Sequence, residues 1–261
     1  MAKKREFPEV IYYTDEHNDE FSTMKIEARR IDGSYPYLHK TVFGNFFHWF
    51  LYRLIATPIA WCYLKLKFHH SVKGKRKLKI AKKQGYFIYG NHTQIIGDAL
   101  MPAFISYPKA AYVIVHPNNV SIPFLGHFTP YMGALPLPDD LEATRHFVEA
   151  IEKRLKQKKA IFIYPEAHLW PYCTRIRHFD DRSFHYPVKY NTPVYCFTNT
   201  YQKRRNPNKV KITTYIDGPF YPNSSFGPDA AKELRDQVFS AMVERTEENE
   251  IALVRYVKKD D

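Results

Sequence analysis

Apolar positions fall into two patterns along this chain. Short unbroken runs bounded by glycine, proline or charge read as buried strands: Gly85 to Gly90 (GYFIYG), Ala110 to His116 (AAYVIVH), Ala160 to Tyr164 (AIFIY), Pro193 to Thr198 (PVYCFT) and Val210 to Ile216 (VKITTYI). Between them, apolar residues recur at helical spacing. Asp139 to Lys158 carries Leu141, Phe147, Ile151 and Leu155 on one side and charges on the other, which predicts an amphipathic helix starting on Asp139 or Asp140. Helices are also expected over Gln94 to Ile105 and Asp229 to Glu247, a short helix or turn over Ser121 to His127, and a short extended piece over Met132 to Leu137 (MGALPL). Strands alternating with helices predict an α/β fold: a single domain with a mixed, largely parallel sheet flanked by helices, its polar residues gathered at the strands' carboxyl ends.

One segment does not suit that domain. Thr41 to Leu66 is rich in Phe, Trp, Tyr, Leu and Ile but is interrupted by Asn45, His48, Arg53 and Pro58, so shallow membrane insertion fits it better than crossing. Lys67 to Gly85 (KFHHSVKGKRKLKIAKKQG) follows directly. An aromatic segment beside a polybasic run is suited to an anionic leaflet. Three regions result: a polar extension over 1–40, a membrane-associating helical segment over 41–68, and an α/β domain over 69–261.

With 261 residues, one core is expected. The net charge of +12 favours an anionic partner, whether phospholipid surface, nucleic acid or phosphorylated substrate. Cys62, Cys173 and Cys196 are few, scattered and without a C-x-x-C pair, which argues against a disulfide framework and a thiolate zinc site. The start has no signal-peptide pattern, so the expected location is the cytoplasmic face of a membrane, peripheral or monotopic.

The candidate chemistry lies at strand ends. His92 and Asp98, in YGNHTQIIGDAL, could make a carboxylate-held general base. Six steps of a regular helix turn the chain by roughly 240° and advance it about 9 Å, so His92 must sit in the loop before the helix to reach Asp98. Glu166, after Pro165 in YPEAHLWPY, could bind hydroxyls or orient a cation, and Gly133 could let backbone approach a ligand. Each has a plain structural alternative, as a strand end, a cap or a turn.

Taken in order, these pieces resemble the glycerophospholipid acyltransferase superfamily, whose best-known members acylate lysophosphatidic acid. The resemblance spans about Val72 to Cys196. Asn91-His92 matches the first motif, although five residues rather than four precede Asp98; Pro165-Glu166 matches the third, with Ala167 and Leu169 in place of its Gly and Arg. GALPLPDD lacks the arginine of the second motif, and Thr192-Pro193-Val194 matches the fourth. The resemblance implies acyl transfer from acyl-CoA or acyl carrier protein, as co-substrate, to a hydroxyl of a lysolipid or glycerolipid. His92 would be the base, Asp98 its orienting partner, Asn91, Gly133, Pro165 and Glu166 substrate-binding, with backbone N–H groups near Gly133 facing the oxyanion. Arg175 and Arg177, or Arg145, could replace the missing phosphate-binding arginines. No cofactor or metal is implied, and no nucleic acid is expected.

Two other classes compete. A metal-dependent hydrolase could use His92, His168, His178 and His185, although no H-x-H or H-x-x-x-H pair occurs among the likely strand ends. A non-enzymatic basic lipid- or RNA-binding protein would use the lysines and aromatics and have no need of His92, Asp98 or Glu166.

Overall fold

The computed structural model describes residues 8–22, 26–38, 41–206 and 209–259. In chain order its elements are β1 (Glu9–Tyr13), α1 (Val42–Phe50), a π-helical turn (Leu51–Ala56), α2 (Thr57–Phe68), β2 (Ser71–Lys73), β3 (Tyr86–Gly90), α3 (Gly97–Ser106), β4 (Ala111–Val115), α4 (Asn118–Ser121), β5 (Ala134–Pro136), α5 (Leu141–Lys156), β6 (Ala160–Ile163), α6 (His185–Tyr190), β7 (Val194–Gln202), β8 (Lys211–Phe220), α7 (Ala230–Arg245) and β9 (Val254–Lys258).

Seven strands form a mixed, mostly parallel sheet in the order β2-β8-β7-β3-β6-β4-β5, in which only the β7–β8 pair is antiparallel. Every residue of β3 and β6 is buried, as expected of central strands covered on both faces. Helix α5 starts where its pattern predicts: the Asp140 carboxylate accepts the Ala143 N–H at 2.8 Å, and Ala143, Phe147, Ala150 and Ile151 form its buried stripe. Helix α3 starts three residues later than expected, because the backbone N–H groups of Thr93 and Gln94 are turned to the Asp98 carboxylate.

The amino-terminal segment is more than an extension. β1 pairs in parallel with β9, and Tyr13, Phe21 and Tyr256 pack their rings around the buried Trp170.

The aromatic segment folds as α1 and α2, joined by the π-helical turn. The Arg53 guanidinium in that turn hydrogen-bonds the Pro108 carbonyl. Phe43, Phe46, Trp49, Leu54, Trp61 and Leu66 stay exposed along these helices. Among the described residues no helix is long and apolar enough to cross a membrane.

The lysine run differs from a free basic face. Lys73 donates to the Tyr215 hydroxyl at 2.9 Å, Lys75 to the Phe104 carbonyl at 2.9 Å and Lys77 to Asp217 at 2.7 Å. Arg76, Lys79, Lys82 and Lys83 remain exposed. They lead into the amino end of β3, on the opposite edge of the sheet from His92.

Candidate active site

β3 ends at Gly90, and Asn91 extends its pairing with β7 by side chain rather than backbone. Its amide donates to the Asn199 carbonyl at 3.1 Å and accepts the Asn199 N–H at 2.8 Å, one step beyond the Gly90–Phe197 register pair. The main chain is therefore free to leave the sheet at His92. Four contacts then fix that residue. Its N–H donates to Glu166 Oε2 at 3.3 Å, its carbonyl accepts the Trp170 N–H at 3.1 Å, its ring stacks on Tyr164 with centroids 4.7 Å apart, and its Nδ1 lies 2.8 Å from Asp98 Oδ2.

Asp98 sits in the first turn of α3, and its Oδ2 also accepts the Thr93 and Gln94 N–H groups, each at 2.8 Å. Oδ1 is buried and has no hydrogen-bond partner among the described residues. Burial pushes the Asp98 carboxyl above its ordinary value, against the opposing pull of His92 and the two backbone donors. With Asp98 an anion, the imidazole carries its proton on Nδ1 and leaves the Nε2 lone pair available. The His92 side chain is 24% exposed while that of Asp98 is 2% exposed, so the imidazole reaches solvent and its carboxylate partner does not. A histidine in this state can accept a proton from a hydroxyl and return it to a leaving group.

Other expected site residues turn out to be committed elsewhere. Glu166 does not face a ligand: its side chain and that of Arg177 are 0% and 1% exposed and form an ion pair at 3.1 Å. The Arg177 N–H also donates to Glu166 Oε1 at 3.2 Å, and its guanidinium hydrogen-bonds the His168 carbonyl and packs over the Trp170 ring. The two residues neutralise each other, which removes both from the substrate-binding set. Asn91 is likewise buried and spent on Asn199. Arg175 pairs with Glu16 and lies over Tyr13 and Trp170, and Arg145 is an exposed helix residue 3.9 Å from Glu149.

Gly133 is the clearest correction. It precedes β5 at that strand's amino end, three strands from β3, and its N–H already donates to the Pro130 carbonyl at 3.3 Å. Close approach is indeed its role, but the approaching group is backbone: at φ +97, an added Cβ would lie 2.4 Å from the Ala111 carbonyl oxygen. It supplies no oxyanion donor. Pro165 lies next to the site, half-buried between Tyr164 and Glu166.

Contacts that sequence reading missed complete the cradle. The Tyr164 hydroxyl donates to the Asp98 carbonyl at 2.5 Å, and the Tyr201 hydroxyl to Thr93 Oγ1 at 2.7 Å, while Gln94 Nε2 donates to Tyr201 at 3.0 Å. Tyr164 could have been suspected from its place before Pro165-Glu166; Tyr201, 107 residues from Gln94, had no such signal. Ala167 occupies the left-handed region at φ +61, where the resembled motif has glycine.

Among the described residues no three His, Cys, Asp or Glu side chains converge as a metal site requires. His168 instead faces Glu20 at 3.3 Å. No family profile matches the sequence, and no curated protein matches it. Among solved structures, the chain is similar to the 1-acyl-sn-glycerophosphate (LPA) acyltransferase PlsC from Thermotoga maritima, with 12% identity and a TM-score of 0.48 over 78% of this chain and 96% of that one.

Proposed function

We propose that this protein is an O-acyltransferase that moves a fatty acyl group from an acyl thioester to a hydroxyl of a glycerolipid or lysophospholipid. The observation that carries the reading is the His92–Asp98 pair: Nδ1 is held at 2.8 Å by a buried carboxylate whose Oδ2 is itself fixed by two backbone donors, while the ring reaches solvent at the carboxyl edge of the sheet.

In the proposed step, His92 Nε2 takes the proton of the acceptor hydroxyl as that oxygen attacks the thioester carbonyl. A C–O bond forms, the tetrahedral intermediate collapses with loss of the C–S bond, and the thiolate leaves with the proton from the imidazolium. Asp98 keeps the tautomer and stabilises the imidazolium. Glu166 holds the His92 backbone rather than the acceptor. The thioester donor is acyl-CoA or acyl carrier protein, and the reaction calls for no other cofactor.

The exposed aromatic face of α1 and α2 supports a second part of the reading, a shallow seat on an anionic leaflet at the cytoplasmic face of a membrane. The test is thiol release from acyl-CoA and acyl carrier protein donors, with lysophospholipid and glycolipid acceptors in mixed micelles. Acceptor-dependent release in the wild type that collapses in His92→Ala is expected. A folded wild type that turns over no donor, or a His92→Ala variant as active as wild type, overturns the reading.

A further inference from the structure

The cations first expected to meet phosphate are either spent or on the wrong edge. Arg177 is buried against Glu166, Arg175 is paired with Glu16, and the exposed lysines of 76–83 lie at the amino edge of the sheet. A different cationic group shares the edge of His92. A cleft of about 400 Å³ lies beyond the carboxyl end of β4, lined by Arg29, Arg30, His116 and Asp139 with Ala28 and Pro117.

The arginine segment is anchored on both sides. The Arg29 N–H donates to Ser121 Oγ at 2.9 Å, and its guanidinium packs on the Tyr35 ring at 5.3 Å. Two residues on, the Ile31 N–H donates to Asp139 Oδ2 at 2.7 Å, and the Asp139 N–H returns to the Ile31 carbonyl at 2.9 Å. The one carboxylate in the cleft is thus engaged by backbone. Neither Arg29 nor Arg30 makes an ion pair among the described residues. His116 Nδ1 accepts the Asn118 N–H at 3.3 Å, which leaves Nε2 as the donor nitrogen. Two arginines and an imidazole N–H thus line the cleft beside Asp139 on a backbone held at both ends, and guanidinium with imidazole N–H is the donor chemistry that binds phosphate.

Geometry then narrows the ligand. β3 and β4 run in the same direction with β6 between them, so the cleft and His92 share one edge, separated laterally by about 10 Å at roughly 4.8 Å per strand. A hydroxyl and a phosphate on adjacent carbons of one glycerol are joined by four bonds of about 1.5 Å, so they span at most about 5 Å. That span is about half the separation of the two strands, which favours a longer molecule. We infer that Arg29, Arg30 and His116 form a subsite for a phosphate carried at the remote end of a substrate whose reacting group lies at His92. That phosphate belongs either to the thioester carrier or to an extended headgroup. The link to His92 rests on the acyltransferase reading; phosphate binding in the cleft does not.

The test is calorimetric titration of the full chain with adenosine 3′,5′-bisphosphate, as the carrier's phosphate end, and with glycerophosphoinositol, as an extended headgroup; inorganic phosphate is the bare-anion control. Arg29→Ala/Arg30→Ala is compared with Lys79→Ala/Lys82→Ala, which removes the same charge from the opposite edge. At least tenfold weaker binding of one organic probe in the arginine variant, with wild-type binding in the lysine variant, is expected and names the source. Equal weakening in both variants, or binding of neither probe by wild type, overturns the subsite. If binding survives in a chain that releases no thiol, the transferase reading fails and the subsite stands.

Discussion

Glu166→Gln separates a carboxylate that holds the site together from one that holds a substrate. The substitution keeps the side chain's shape and one carbonyl acceptor but removes the charge facing Arg177, which is 1% exposed and cannot recover hydration. Breaking a buried ion pair by altering one partner costs about 3–5 kcal/mol. Because glutamine still accepts one of the bonds now made by the His92 and Arg177 N–H groups, the low end applies, about 3 kcal/mol. At about 2–4 °C per kcal/mol for a domain near this size, Tm should fall by about 6–12 °C. Adding Arg177→Met should restore part of the loss, since no buried cation remains, while the His168 carbonyl loses its guanidinium donor. Thermal unfolding of the wild type and the two variants, with steady-state kinetics below the lowest Tm, makes the comparison. We expect kcat to fall as the His92 backbone loosens, with KM for the acceptor within about twofold. A Glu166→Gln protein with wild-type Tm and a tenfold higher acceptor KM would refute the structural assignment and return Glu166 to the binding site.

Asp98→Asn should lower kcat by about 10²–10⁴-fold, because the amide cannot stabilise the imidazolium. It should leave stability equal or higher. Burial raises the Asp98 carboxyl, so the folded state binds that proton more readily than the unfolded one; the cost of the buried anion is full above the folded pKa and vanishes as pH falls through it, a dependence the variant should lack in urea unfolding across acidic pH. Ala167→Gly should stabilise: relief of the left-handed backbone, about 1–2 kcal/mol, offsets glycine's extra chain entropy of about 0.5–1 kcal/mol, so Tm should rise by up to about 6 °C, and a fall would contradict the assigned φ. For Asp217, burial works to raise the carboxyl, but bonds from Arg245 at 2.8 Å and Lys77 at 2.7 Å hold it below its ordinary value. That stability is present above the ordinary carboxylate range and lost as pH falls through the lowered folded value. Asp217→Asn should therefore lose about 1–3 kcal/mol at pH 7 and show a shallower acid decline, and parallel curves would sink the account.

Much of this fold could be read from the chain. β3 and β6 announce themselves because strands buried on both faces need no polar alternation, and α5 because Asp140 and its apolar stripe agree. β2 was hidden inside a lysine-rich run, and β1–β9 pairing joins Glu9 to Val254, a contact no local pattern encodes. At the site, His92–Asp98 was legible because helix geometry forced His92 into the preceding loop. Glu166 and Arg177 were both visible as candidates, but each was assigned to a substrate because sequence cannot show that two charges cancel across a turn. Gly133 was rightly read as a point of close approach and wrongly given a ligand, since composition does not say which group approaches. Arg29 and Arg30 lay in what read as a polar extension, where only the fold sets them beside His116.

The Asn91–Asn199 bridge has a consequence for how this protein can change. Its partner is main chain, so no second substitution at position 199 can compensate for losing the amide at 91. Aspartate cannot donate, alanine orphans a buried N–H and carbonyl, and glutamine adds a carbon to a span that already fits at 2.8 and 3.1 Å. Position 91 thus behaves as a mutational dead end set by covalent geometry alone, and the direction of His92 depends on a residue whose alternatives are closed off one by one.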